Sequence, residues 1–216
     1  MLAAGAAAHD APPHQAAPVE SDAERFDFAP PEPGTYALPP IMRAGDGAVL
    51  DSAGRTRRLE AVMDGRITVL SFIYTNCADS GGCPLATAAL FDILDAATGD
   101  ATLAANVKLV SLSFDPARDT PTAMAQYGAA ASLRPAPKPS WDFLTCASDE
   151  TLAPILAAYG QWIDKRGADG DFAHVLRVYL IDRRGWIRNV YGVSYLDPRL
   201  LLADIRTLLL EEQASR

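Results

Sequence analysis

The chain has 216 residues, nearly half of them apolar, and a formal net charge of −8. That suffices for one domain of moderate size with a real core, plus a tail, and the acidic balance without any Lys/Arg cluster excludes nucleic acid as a main partner. No apolar run reaches the roughly 18 residues of a membrane span, so the sequence as given is read as having no transmembrane segment.

Residues 1–40 are rich in Ala and Pro, and Asp10, Glu20, Asp22, Glu24, Asp27 and Glu32 stand there against Arg25 alone. Without apolar periodicity the segment reads as a disordered or linker tail. Its start, MLAAGAAAHDAPPH, reads either as the remnant of a signal peptide or as plain low-complexity sequence. Residues 41–216 form the folded unit. AGDGAVLDSAGRTRRL predicts two short strands joined by Gly-containing turns. ITVLSFIY, 67–74, is a continuous β-branched and aromatic run, as a strand buried on both faces requires. A helix follows from Pro84 to about Thr98. NVKLVSLSF, 106–114, predicts a second buried strand, and DPARDTP closes it and starts a helix near 120–130. RPAPKP is a loop and WDFLT, 141–145, a short strand. Ser148 reads as the N-cap of a helix that ends at Gly160. A polar loop leads into FAHVLRVYLID, 172–182, a strand that forms a hairpin with WIRNVYG. LDPRLLLADIRTLLLEE predicts a closing amphipathic helix.

This order gives an α/β, thioredoxin-like fold: a central mixed sheet flanked by helices, with an N-terminal β-hairpin and a C-terminal helix. The right-handed crossover rule puts the loop after the 67–74 strand at the carboxyl edge of the sheet, where α/β proteins hold their chemistry.

That loop carries Cys77 and Cys83, with five residues between them that include Gly81 and Gly82, and Pro84 directly after the second cysteine. Pro is favoured at the first helical position, so Cys83 sits at or next to the N-cap. The free amides and positive end of the helix there are expected to ease the loss of its proton, and the thiolate is the form that attacks disulfides or binds metal. The loop is short enough for a disulfide, and equally for two thiolates on one ion. A static loop-closing disulfide or two buried thiols is the bland reading of the same spacing. Three cysteines do not make a framework of disulfides; they fit a reactive pair with one left over.

His174, after a polar loop in an otherwise apolar run, is the second candidate. A lone His in such a place is more often packed or hydrogen-bonded than ligating. The ligand reading gains because its strand can lie beside the central one and bring the imidazole over the cysteine loop. Two thiolates and an imidazole form a soft set that suits Cu(I), or Cu(II) with a further oxygen; zinc also takes it, though structural zinc sites usually have a fourth protein ligand. Asp79, inside that loop, reads as an oxygen donor for Cu(II) or, more simply, as an exposed loop carboxylate. Asp115 and Asp119 read as residues that cap and shape a turn, one of them within range of lining the site. Cys146 reads as a small apolar core residue, and His9 and His14 as solvated linker residues.

FIYTNC…CP, SLSFDPARDTP, WDFLT and FAHVLRVYLIDRRGWI, in this order, resemble the SCO/SenC family of thioredoxin-fold copper proteins, over about residue 34 to the C-terminus. The resemblance implies copper as the metal, with Cys77, Cys83 and His174 as ligands, in a periplasmic or otherwise extracytoplasmic, membrane-facing protein. It implies a metallochaperone delivering copper to a cytochrome c oxidase subunit at the CuA site, or to another copper-receiving protein, through a redox-active Cys77–Cys83 pair. The chain departs from the family at the loop, where three residues between the cysteines are usual and five stand here. The alternative function is a thiol–disulfide oxidoreductase of the same fold acting on a protein disulfide partner, with no metal role; a peroxidase of the peroxiredoxin type ranks below both.

Overall fold

A computed structural model of the chain describes residues 28–77, 79, 81–165 and 172–214. The signal-peptide reading, His9 and His14 fall outside the described residues.

Ten strands are described. β1 (Met42–Arg43), β2 (Ala48–Leu50) and β3 (Thr56–Arg58) precede the central β4 (Ile67–Ile73). β5 (Val107–Ser113), β6 (Ser140–Leu144), β7 (Ile163–Asp164), β8 (Ala173–His174), β9 (Val178–Ile181) and β10 (Trp186–Tyr191) follow. Six of them form one mixed sheet in the order β1-β10-β9-β4-β5-β6. β4, β5 and β6 run parallel, and β9 lies antiparallel to β4. All residues of β4 and β5 are buried, which is why their sequences are continuous apolar runs rather than alternating ones. β2 and β3 make the expected N-terminal hairpin as a separate small sheet. The helix after β4 spans Cys83–Ala97 and the closing helix spans Pro198–Ala214; both bury an apolar stripe. Among the described residues no helix is long and apolar enough to cross a membrane.

Two expected elements are cut. The 120–130 helix divides into Pro121–Tyr127 and Ala129–Ser132 at Gly128. The Phe143 ring packs so close there that a Cβ on residue 128 would sit 2.3 Å from its Cδ2. The 172–182 strand also breaks. Its first part, β8, leaves the main sheet and pairs with β7, Ile163 opposite His174; only from Val178 does the chain join β4. Between them the backbone is held by side chains instead of a ladder: Gln161 Nε2 donates to the Val175 carbonyl at 2.7 Å.

The described part of the acidic segment makes contacts that composition alone did not suggest. Gly34 donates its N–H to Thr207 Oγ1 at 3.0 Å, Tyr36 Oη donates to Asp204 Oδ1 at 2.6 Å, and Leu38 is buried. Asp204 also accepts from Asn189 Nδ2 at 2.8 Å and Tyr191 Oη at 2.5 Å, so one buried carboxylate joins the segment, β10 and the closing helix. Burial in contact with that carboxylate pushes the Tyr36 phenol up to about 12. Replacing Asp204 by Ala strands three donors, and buried unsatisfied donors are costly. We expect Asp204→Ala to lose roughly 2–4 kcal/mol of stability, read as a lower urea midpoint at unchanged slope; a wild-type midpoint would show that this node carries no weight.

Candidate metal centre

Three chain segments meet just past the carboxyl ends of β4 and β5. The first is the turn after β4. The Tyr74 N–H donates to the sulfur of Cys83 at 3.4 Å, and the Cys77 N–H donates to the Tyr74 carbonyl at 3.3 Å. The second is the start of the Cys83–Ala97 helix, with Gly82 as N-cap and Pro84 in the first turn. A Cβ on Gly82 would lie 3.3 Å from the Cys77 sulfur and 3.2 Å from the Asp79 carboxylate, closer than nearly all real Cβ contacts. A side chain at this position would press on the first sulfur and on the Asp79 carboxylate by a few tenths of an ångström. The third is β8, which brings His174.

The imidazole is held in one orientation. Its Nδ1–H donates to the Phe172 carbonyl at 3.0 Å, which assigns the tautomer and leaves Nε2 to accept from the Cys83 thiol. Nε2 faces the Cys83 sulfur at 3.6 Å. Tyr74 meets the ring edge-on, centroids 5.8 Å apart, and Phe114 lies at 5.2 Å. One donor atom each from Cys77, Cys83 and His174 all lie within 4.8 Å of one another. The structure therefore brings the three predicted residues together, and both sulfurs are free thiols. Two sulfurs and one nitrogen are soft donors that match Cu(I) better than a hard cation.

Asp79 is not part of that group. Its carboxylate accepts the Gly81 N–H at 3.0 Å and its carbonyl accepts the Gly82 N–H at 2.9 Å, so it braces the loop. Cys146 is a buried core residue, with its sulfur 3.6 Å from the Ala48 carbonyl and its pKa pushed up to about 11 by burial. Asp115 and Asp119 shape the turn after β5, as their spacing suggests. Asp115 pairs with Arg118 at 2.5 Å, and the buried Asp119 reaches across to Thr75 in the cysteine turn.

The expectation of an easily ionised Cys83 is overturned. Cys83 is 1% exposed, and burial pushes its thiol well above the ordinary range. The Tyr74 N–H and the amide at the helix start favour the thiolate, but neighbouring Cys77 opposes it, and desolvation is the largest effect. Cys83 is therefore kept as a thiol until something displaces its proton. The sequence reading also passed over the aromatic wall of Tyr74 and Phe114 against the imidazole, with the Phe172 ring packed on both of them. Tyr74 and Phe114 read there only as the ends of apolar strands.

The SCO1/SenC family model matches residues 46–210. The SCO1 protein homolog of Bacillus subtilis (strain 168) is 25% identical over 156 residues, covering 71% of this chain and 76% of that protein. In fold the chain is similar to Arabidopsis thaliana ScoI with copper bound, with a TM-score of 0.64 and 22% identity over 78% of this chain and 98% of that one. It is equally similar to a SCO1/SenC family lipoprotein from Bacillus anthracis str. Ames, with a TM-score of 0.64 and 24% identity over 79% and 97%. Yeast Sco1 with copper bound gives 0.63 and 20% over 82% and 91%. The family match runs from the hairpin through the cysteine loop and His174 into the closing helix, and on that extent the chain belongs to the SCO1/SenC family.

Proposed function

We propose that this chain binds copper as cargo through Cys77, Cys83 and His174 and passes it to a copper-receiving protein, the CuA site of a cytochrome c oxidase subunit being the first such acceptor to test. The observation that supports this most is the convergence of two thiol sulfurs and an oriented imidazole nitrogen within 4.8 Å. The Arabidopsis and yeast relatives with copper bound support the choice of metal. The two sulfurs supply charge and softness for Cu(I), and the Phe172 carbonyl keeps Nε2 available. Cys77 and His174 are partly exposed while Cys83 is buried, so an acceptor's ligands approach from the Cys77 side and displace the donors in turn. Loss of two electrons from the two thiolates to a partner disulfide joins them in a disulfide, reduces the partner to two thiolates and removes both sulfur ligands, so redox state and copper release are linked.

In this reading residues 41–216 are the functional domain, the 34–38 stretch docks on it, and the acidic sequence before that stretch is its tether. The protein works outside the cytoplasm, in a periplasm or comparable compartment, at a membrane surface. A lipoprotein among its structural relatives supports that placement.

A second reading, a thiol–disulfide oxidoreductase without a metal role, is favoured by the two neighbouring free cysteines of unequal exposure. There Cys77 attacks a partner disulfide and Cys83 resolves it.

Competition titration of the reduced protein with a Cu(I) chelator separates the two. The copper reading expects one equivalent bound, and a loss of more than about 100-fold in affinity for His174→Ala, since even groups that only orient a ligand cost 10–100-fold. An unchanged affinity sinks the metal reading and leaves the redox one. Because burial holds Cys83 as a thiol, copper must displace its proton, and affinity should rise with pH by about tenfold per unit for each proton released; a flat profile below pH 8 contradicts that. For the redox reading, peptide mapping after brief alkylation should find Cys77 modified well ahead of Cys83 in the folded, reduced protein. Equal rates would remove the assigned order of attack.

A further inference from the structure

Asp119 lies far from the cysteines in sequence and is not one of the convergent donors, yet it is 1% exposed and spends its carboxylate almost entirely on the turn that carries Cys77. Oδ2 accepts the Thr75 N–H at 3.0 Å, and Oδ1 accepts the Thr75 hydroxyl at 2.5 Å. Oδ2 also accepts the Ser113 hydroxyl at 2.5 Å, at the end of β5. Thr75 is the second residue of the turn closed by the Cys77 N–H on the Tyr74 carbonyl. The preceding N–H, that of Tyr74, goes to the Cys83 sulfur. One side of the turn is thus anchored to the second cysteine and the other to Asp119. Asp119 is itself fixed by its own N–H on the Asp115 carbonyl at 2.8 Å. A buried carboxylate is expensive unless its lone pairs are used. Here three donors use them, and two of these donors come from one residue of the cysteine turn.

We infer that Asp119 is a positioning residue, which sets the distance between the Cys77 and Cys83 sulfurs by gripping Thr75 with both carboxylate oxygens. The inference rests on the copper reading for its biological use, but the geometry it concerns exists in the metal-free protein. It deepens that reading by assigning the DPARDTP segment a part in the site without making it a ligand. The mechanism is hydrogen bonding, not charge. An Asn in place of Asp119 keeps the pattern: its carbonyl accepts from the Thr75 N–H and Ser113, and its amide donates to the Thr75 hydroxyl, which accepts as well as it donates.

The test compares wild type, Asp119→Asn, Asp119→Ala and Thr75→Val in two assays, each variant first shown to be folded by circular dichroism. One assay is Cu(I) affinity by chelator competition. The other needs no metal: the equilibrium constant for oxidation of the Cys77–Cys83 pair by oxidised dithiothreitol, in which two thiols give up two protons and two electrons to the reagent and close one disulfide. We expect Asp119→Ala to lower both constants roughly 10- to 100-fold, Thr75→Val to lower both by less, and Asp119→Asn to stay within a few-fold of wild type. A folded Asp119→Ala with wild-type constants overturns the inference. So does an Asp119→Asn that loses as much as Asp119→Ala, because charge would then be the cause. If Asp119→Ala does not fold, Thr75→Val decides, and wild-type constants there overturn it. If wild type binds no Cu(I), the copper reading falls and the disulfide constant alone judges the positioning role.

Discussion

The site depends on one hydrogen bond between backbone and sulfur. The N–H of Tyr74, the first residue past β4, donates to the sulfur of Cys83, the first residue of the following helix. A strand end and a helix start nine positions apart are thereby clamped together, and everything between must fold back as a tight loop. Gly82 leaves room for the Cys77 sulfur and the Asp79 carboxylate in that fold-back, and Asp79 accepts from the amides of Gly81 and Gly82. The same clamp buries Cys83. Removal from water outweighs the helix start's preference for a thiolate, so the metal-free site is held neutral at that sulfur.

The third donor arrives by a different device. A strand that continued straight from residue 172 to 182 would run in the main sheet throughout. Instead Gln161 takes the carbonyl of Val175, and Arg177 donates to the carbonyl of Gly160, so residues 173–177 stay out of the main sheet, which the chain joins only at Val178. That step puts His174 against Tyr74 and Phe114, which are the residues immediately after the two central parallel strands. The aromatic wall fixes where the ring sits, and the Phe172 carbonyl fixes which nitrogen is presented.

The parts that could be read in the sequence are those decided locally. The buried runs of β4 and β5 announce themselves by continuous apolar composition, the Cys83–Ala97 helix by Pro84, and the Asp149–Ala158 helix by Ser148, whose hydroxyl does cap it. Cys77 and Cys83 stand out because they frame a Gly-Gly loop at a strand–helix junction. What stayed hidden depends on partners distant in sequence. The break before Val178 is set by Gln161 and Arg177; the raised Cys83 pKa comes from burial by several segments; and Asp119 meets Thr75 from 44 positions away. The Ala101–Asn106 helix was missed for another reason. Its cap is local, with Asp100 accepting from Thr102 and Leu103, but its six residues run directly into the apolar β5 and leave no period to read. The contacts of residues 34–38 with the closing helix likewise depend on Asp204 and Thr207, which lie at the far end of the chain.

The central claim is that both sulfurs and the imidazole bind one copper ion together. X-ray absorption at the copper edge of the Cu(I)-loaded, reduced protein tests it most directly. The account predicts a first shell of two sulfur scatterers and one imidazole nitrogen, the nitrogen identified by the outer-ring scattering of histidine. A shell of nitrogen and oxygen alone, or one sulfur without imidazole, would contradict it.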